Sequence, residues 1–225
     1  DRLGLFCGTK FVNAPFTTTT GGTTSADFTG DPTDPSGSEA EVFYAYYPYS
    51  AHAVLEGSVV SGLSIPAVQT FATKSFATEL CPMATSGADY SRLAFRTIGT
   101  VLKFQVTGQK NVTKIELTGN DGEALAGDYT IDFVGETPEM KFSGTETTLT
   151  LTCSEPVALN DASATEFYFV LPAGIEFTKG ITVKVYTDDN AEPMVKEYAS
   201  PLTTRPNKLV TVKAFTYSVP VTSIE

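Results

Sequence analysis

Residues whose side chains could carry out chemistry are few and scattered in this sequence. The single histidine, His52, follows Ser50, but a Ser–His dyad needs a nucleophile on a strained turn, and the chain has no G-x-S-x-G turn. Asp188 and Asp189 are neighbours before an asparagine, a turn-type sequence. Adjacent carboxylates on a turn point apart, whereas glycosidase chemistry needs two carboxylates held across a cleft. We therefore expect no catalytic residues and predict that the protein is not an enzyme.

Metal and cofactor sites are not predicted either. Residues 16–38 read as an exposed Thr-, Gly-, Asp- and Pro-rich loop with one short strand near Phe28, and the acidic side chains of this region are Asp27, Asp31, Asp34 and Glu39. Calcium takes several carboxylate oxygens, but the spacing fits no known loop motif, so a solvated acidic loop is the preferred interpretation. The chain has no HExxH, no CxxC and no glycine-rich phosphate loop. We expect no metal and no cofactor.

The three cysteines, Cys7, Cys81 and Cys153, are far apart in the sequence. This spacing excludes a zinc knuckle or a CxxC redox motif, and the odd number leaves at least one free thiol unless a second chain takes part. Cys153 ends an alternating apolar run and is predicted to be a small buried hydrophobic residue. Two large apolar residues precede Cys7, where a lipid-anchor site needs small ones, so Cys7 is a poor anchor candidate.

Composition limits the function classes. The 225 residues include 15 Lys and Arg against 26 Asp and Glu, which gives a formal net charge of −11. Nucleic acids and anionic membrane surfaces are bound through basic side chains, so this charge predicts neither as a partner. No apolar run approaches the roughly 18 residues that a transmembrane helix needs. No signal-peptide pattern is present, so we expect any export signal to lie outside this sequence.

An aromatic run at residues 41–50 is the strongest element signal. Aromatic side chains suit a strand, and Pro48 should end it. Alternation places Phe43, Ala45 and Tyr47 on one face, and Val42, Tyr44 and Tyr46 on the other. Because both faces are apolar or aromatic, we expect the strand to be covered on both sides. The alternative is an exposed platform on which sugars stack, formed by Tyr44, Tyr46 and Tyr49.

The rest of the pattern is all-β. Thr, Val, Phe and Tyr alternate between Gly, Pro, Asn and Asp turns, and no long helical periodicity is present. Some nine strands after residue 90 predict a β-sandwich. The small, polar residues 84–89 read as a linker, which divides the chain into an N-terminal β domain (1–88) and a C-terminal β-sandwich domain (89–225). The predicted core contains Phe43, Tyr47, Phe104, Ile115, Phe167, Phe169 and Val183.

Several of these runs, in their order and spacing, resemble the fimbrillin family of the Bacteroidales, the type V pilus subunits and their Mfa-like relatives. The matching runs are Phe43–Tyr49, Leu93–Arg96, Val101–Gly108, Ile115–Gly119 and Phe167–Pro172. The resemblance implies two tandem transthyretin-like antiparallel β-sandwich domains, an exported lipoprotein precursor and assembly into fimbriae at the outer membrane. Other fimbrial subunits would be its partners, with a host or bacterial surface receptor as a further one. The sequence shows no lipobox cysteine and no clear strand upstream of residue 40.

Residues 209–219 are predicted to form the last long strand, with Leu209, Phe215, Tyr217 and Val219 on one face. In fimbrillins such a strand is thought to fill a groove in the neighbouring subunit, which is a case of β-augmentation. Two interpretations stay open: this strand assembles subunits, or it is an ordinary last strand of its own sandwich. A surface glycan-binding module remains the alternative function.

Overall fold

The computed structural model describes residues 1–20, 25–77 and 80–219, and these ranges contain strands and no α-helix. None of them therefore holds a helix able to cross a bilayer. The strands are β1 (Arg2–Cys7), β2 (Phe11–Thr17), β3 (Phe43–Tyr47), β4 (Val54–Glu56), β5 (Val59–Ile65), β6 (Val68–Ala72), β7 (Ser75–Phe76), β8 (Met83–Gly87), β9 (Arg96–Thr97), β10 (Thr100–Thr107), β11 (Asn111–Gly119), β12 (Gly127–Asp132), β13 (Glu139–Phe142), β14 (Thr148–Ala158), β15 (Thr165–Leu171), β16 (Glu176–Phe177), β17 (Ile181–Thr187), β18 (Asn190–Tyr198), β19 (Leu202–Thr203), β20 (Lys208–Thr211) and β21 (Phe215–Thr216). The predicted all-β class is confirmed.

The chain forms two compact units. Unit 1 comprises Asp1–Ser64, Glu79–Gly99 and Asp128–Ser143, and unit 2 comprises Ile65–Thr78, Thr100–Gly127 and Gly144–Glu225. This division differs from the single cut predicted after residue 88, because strands pair across it. The β12–β13 hairpin pairs with β5 in unit 1, while β6 pairs in parallel with β14 in unit 2. Sequence order alone does not reveal such long-range pairing.

Unit 1 holds a five-stranded sheet, β2-β1-β3-β8-β9, and a four-stranded sheet, β13-β12-β5-β4. Strands β1 and β2 form an antiparallel hairpin, and β1 also pairs with β3. The absence of a clear strand upstream of residue 40 was thus a wrong prediction: Arg2–Cys7 is a central strand, with Leu3 and Leu5 buried. The alternation of Leu3, Leu5 and Cys7 was the signal for it. In the predicted loop after Phe16, Thr29 makes an isolated bridge with Thr17.

Strand β3 is covered on both faces, as its aromatic pattern predicted, but Val42 lies just before the strand and is 41% exposed, so its predicted place on the covered face was wrong. Phe43, Ala45 and Tyr47 belong to one cluster with side chains of β1 and β2, against which Tyr90 and Phe95 pack. On the opposite face the Tyr46 ring lies over Gly4, where an added Cβ would fall 2.2 Å from the ring. Tyr46 is fully buried. Position 4 therefore has no room for a larger side chain unless the tyrosine moves.

The predicted linker at residues 84–89 is instead largely strand β8, which pairs with β3 along its whole length. Its small residues fit beneath large neighbours: Ala84 is fully buried, and a Cβ on Gly87 would lie 3.2 Å from the Phe43 ring. A run of small residues is typical of linkers, but it also suits a strand that packs against aromatic side chains. The composition could not distinguish these two cases.

Unit 2 holds a six-stranded sheet, β18-β17-β11-β14-β6-β7, and a smaller sheet in which β10 lies between β15 and the C-terminal strands. Its core residues Phe104, Phe167 and Phe169 are fully buried, with the Phe104 and Phe169 rings 5.8 Å apart in an edge-to-face arrangement. All seven predicted core residues of the two units are buried: Phe43, Tyr47, Phe104, Ile115, Phe167, Phe169 and Val183.

Cys153 is only half-buried, so its predicted place in the core was wrong. The reason is a register shift between β11 and β14: Lys114 lies opposite Thr152, and Val112 lies opposite Val157. Because β14 has extra residues at this point, the regular alternation of buried and exposed side chains along β14 ends at Cys153. Burial raises the pKa of its thiol to about 11. All three cysteines are free thiols, and Cys7 and Cys81 are buried.

Candidate functional site: the C-terminal segment

The C-terminal segment, residues 205–219, runs along β10 as two short parallel strands and not as the single long strand that was predicted. Thr211 lies opposite Lys103 and Phe215 lies opposite Val106. The segment therefore advances four residues where β10 advances three. One extra residue disrupts a ladder locally, which explains the break between β20 and β21.

The predicted assembly face is divided by this break. Phe215 and Tyr217 are buried, whereas Leu209 and Val219 are each more than half exposed. The four residues therefore do not form one apolar stripe. The aromatic pair anchors the second half of the segment, and the first half presents Leu209 to solvent.

Anchoring contacts hold the aromatic half of the segment to the six-stranded sheet of unit 2. The Tyr198 hydroxyl donates to the Lys213 carbonyl at 2.7 Å, and the Tyr198 and Phe215 ring centroids are 6.4 Å apart. The Tyr217 hydroxyl lies 3.3 Å from Thr187 Oγ1. Because Tyr198 and Thr187 belong to β18 and β17, this segment joins β10 to the edge of the other sheet. Neither of these partners could be predicted from the sequence.

Beside the segment, the outer face of β10 and β15 carries a polar network around Glu166. Its carboxylate accepts hydrogen bonds from the Tyr168 hydroxyl (2.6 Å) and from Gln105 Nε2 (3.2 Å), and Lys103 Nζ lies 3.0 Å away. The Tyr168 hydrogen bond and the Lys103 ammonium lower the pKa of Glu166. Burial and the same hydrogen bond raise the pKa of Tyr168 to about 12.

We expect Glu166→Gln to destabilise the protein at neutral pH, and the difference from wild type to shrink in acid. A lowered folded pKa stabilises above the ordinary glutamate value of about 4.3, and this contribution is lost as the pH falls through the folded value. Since the network is solvent-accessible, the loss at neutral pH should stay below about 1 kcal/mol. Urea denaturation across pH measures it. Glu155→Gln, at an exposed site of β14, is the control; equal effects of the two variants would contradict the role of the network.

The three tyrosines of the glycan-stacking alternative do not form an exposed platform. Tyr46 is fully buried; its hydroxyl lies 2.6 Å from Asn13 Oδ1 and accepts a hydrogen bond from the Ser50 amide at 3.2 Å. Tyr44 is half-buried with its ring 4.9 Å from that of Phe133. The Arg2 guanidinium lies over the half-buried Tyr49 ring at 5.2 Å. These rings serve packing and hydrogen bonding in unit 1.

The other chemically competent residues are not brought together into a site. Ser50 Oγ donates to the Gly62 carbonyl at 2.8 Å and accepts from the His52 amide at 3.2 Å, so its proton is given to a backbone carbonyl and not to an imidazole. Asp188 and Asp189 accept from Asn111 and Lys110 respectively. In the described ranges, no three His, Cys, Asp or Glu side chains lie close enough to share a metal ion.

Comparisons with known proteins give a fold likeness. The chain is structurally similar to a "putative cell adhesion protein" from Bacteroides uniformis, with a TM-score of 0.53 and 12% sequence identity over 96% of this chain and 86% of the other. A second protein so described, from Bacteroides fragilis, gives a TM-score of 0.46 at 12% identity, over 99% of this chain and 80% of the other. Neither a protein-family model nor a curated protein sequence matches the chain.

Proposed function

We propose that this protein is a non-enzymatic subunit of a cell-surface fimbrium, with a structural or adhesive role. The observation that carries the proposal is the fold likeness to a Bacteroides protein described as a "putative cell adhesion protein", which spans nearly the whole chain. The runs that resemble fimbrillins support the same class. Each unit contains two main sheets, which fits the tandem transthyretin-like sandwiches of that family.

On this proposal the protein is exported as a lipoprotein precursor and acts at the outer membrane, where its partners are other fimbrial subunits and a surface receptor. Neither a catalytic residue nor a bound metal takes part. The glycan-binding alternative loses its main support, because Tyr46 is buried and cannot stack on a sugar.

Assembly would proceed by exchange of the C-terminal segment. Within the described residues, β20 and β21 have β10 as their only strand partner, in parallel pairing, and both strands are short. A short terminal segment can leave its sheet at lower cost than an internal strand. Phe215 and Tyr217 are the apolar side chains that such a segment would carry into the neighbouring subunit.

Deletion of residues 209–225 tests this mechanism. We expect the truncated subunit to fold, as measured by circular dichroism, and to be absent from fimbriae seen by electron microscopy. A truncated subunit that does not fold would show that the segment belongs to its own core, and the exchange mechanism would fail.

A disulfide lock is the matched control for the deletion. Thr107 and Thr216 are register partners, and their hydroxyl oxygens are 2.8 Å apart. Neighbouring strands lie about 4.8 Å apart, which is within the Cα separation of about 4.4–6.8 Å that a disulfide allows. With Cys153→Ser to remove the half-buried thiol, the variant Thr107→Cys/Thr216→Cys should form assemblies that persist at high salt when reduced, and none of these when oxidised. Equal amounts of salt-resistant assembly in both states would contradict strand exchange.

A further inference from the structure

A groove runs beside β2, the edge strand of the five-stranded sheet in unit 1. It has a volume of about 620 Å³ and is lined by Val12, Asn13, Pro15 and Thr17 of β2 and by residues 29–33. The backbones of Thr17 and Thr29 exchange two hydrogen bonds of 2.8 Å at one end. At the other end Thr33 Oγ1 bonds both the amide and the carbonyl of Val12, at 3.0 and 3.1 Å. Segment 29–33 is thus fixed at both ends and forms the outer wall.

One carboxylate and one exposed aliphatic side chain line the groove. Residues 25–41 contain five acidic side chains, of which the exposed Asp31 lines the groove and Glu39 is paired with Lys10. Val12, also in the lining, is 51% exposed. An occupant of matching chemistry would be an extended segment that carries basic side chains and at least one aliphatic side chain.

The C-terminal segment has this chemistry. Residues 199–219 contain three basic side chains, Arg205, Lys208 and Lys213, and no acidic one, in a chain with a net charge of −11. All three are exposed, and no ion pair involves them within the described ranges. Leu209, beside Lys208 on β20, is 56% exposed.

Strand β20 is also free to pair. In the part of the chain that the structure describes, β10 is its only strand partner, so the opposite edge of β20 remains open. An open edge strand is a template for pairing with another chain. Charged residues on an edge usually prevent such pairing, except where the partner carries the opposite charge.

We propose that the open edge of β20, in place in its own sheet, docks in the groove beside β2 of a second copy of this chain. Lys208 and Arg205 then approach Asp31, and Leu209 covers Val12. The contact joins two different surfaces, so it is heterologous and its repetition gives an open filament or a ring. It does not depend on strand exchange, because the C-terminal segment stays where it is.

The test uses the oxidised Thr107→Cys/Thr216→Cys/Cys153→Ser variant, in which the segment cannot leave. We expect this locked subunit to self-associate reversibly in sedimentation velocity at low salt, and high salt to weaken the association because paired surface charges are screened. Asp31→Lys and Lys208→Glu, each made in the locked subunit, should weaken it by about tenfold or more. An equimolar mixture of these two variants, or the double variant, should restore it.

Two charge-matched controls separate the contact from net charge. Glu56→Lys, on β4 of unit 1, and Lys74→Glu, in the turn between β6 and β7, change the charge equally and should leave the association unchanged. A locked subunit that stays monomeric overturns the proposal. So does an association that Asp31→Lys leaves intact, or a double variant without recovery. Assembly that persists at high salt in the reduced but not the oxidised subunit reports separately on strand exchange.

Discussion

Replacing Phe169 with alanine should destabilise the protein by about 3–5 kcal/mol, the usual cost of removing a buried aromatic side chain. Phe169 is fully buried on β15, and its ring meets that of Phe104 edge-to-face. Phe169 lies opposite Leu102 in a continuous stretch of β15–β10 pairing, so we expect the strands to relax little around the cavity. Urea denaturation monitored by circular dichroism measures the loss.

Val195→Ala is the control for this experiment. Val195 lies on β18 and is 57% exposed, so its truncation should change the free energy of unfolding by about 0.5 kcal/mol or less. If Phe169→Ala behaved like Val195→Ala, the inward direction of this side chain, and with it the register of β15 on β10, would be wrong.

Replacing Gln69 with leucine should cost about 2–4 kcal/mol, because two backbone groups would lose their partners. Gln69 is buried on β6, and both polar atoms of its side-chain amide form hydrogen bonds with the backbone of Val170 on β15. Nε2 donates to the Val170 carbonyl at 2.8 Å, and Oε1 accepts from the Val170 amide at 2.9 Å. The side chain thus takes the place of a strand at the edge of β15. Buried polar groups left unpaired lose hydration without compensation.

Gln105→Leu provides the comparison. Its amide bonds Glu166 on the solvent-accessible face of β10, where water replaces a lost partner, so we expect a loss below about 1 kcal/mol. Hydrogen exchange gives a local readout: the Val170 amide should exchange faster in Gln69→Leu and not in Gln105→Leu. Equal losses of stability in the two variants would contradict the role of Gln69.

The local sequence pattern was sufficient to predict the buried core residues, but it was insufficient to predict which distant strands pair. Alternation identified Phe104, Ile115 and Val183 as buried, because the apolar residues at every second position of a strand show which of its faces points inward. It did not reveal that β6 joins a sheet of the second half of the chain, since its partner strand β14 lies about eighty positions further along the sequence. The β8 segment was wrongly predicted to be a linker for a related reason. Its small residues are explained by packing against Phe43, which a local pattern does not show.

The C-terminal segment shows the same limit at a candidate site. The sequence predicted that residues 209–219 form a strand that contains Phe215 and Tyr217. It could not show that this segment has one residue more than the matching part of β10, which separates β20 from β21. That irregularity depends on the register against β10, which two distant segments determine together. The anchors Tyr198 and Thr187 were missed for this reason, although they hold the segment in place.

Each unit is built from segments that lie far apart in the sequence, and this determines when each unit can form during synthesis. Unit 1 needs the hairpin that ends at Phe142, and unit 2 needs both β6 from the first half and β21 near the C-terminus. Neither can complete its sheets until well over half of the polypeptide is present. Such long-range pairing slows folding. A chain of this kind that is threaded through a narrow channel would therefore remain unfolded for longer than a chain in which each domain is one continuous stretch of sequence. For the same reason, a single proteolytic cut between residues 84 and 89 would not release two independent folded fragments.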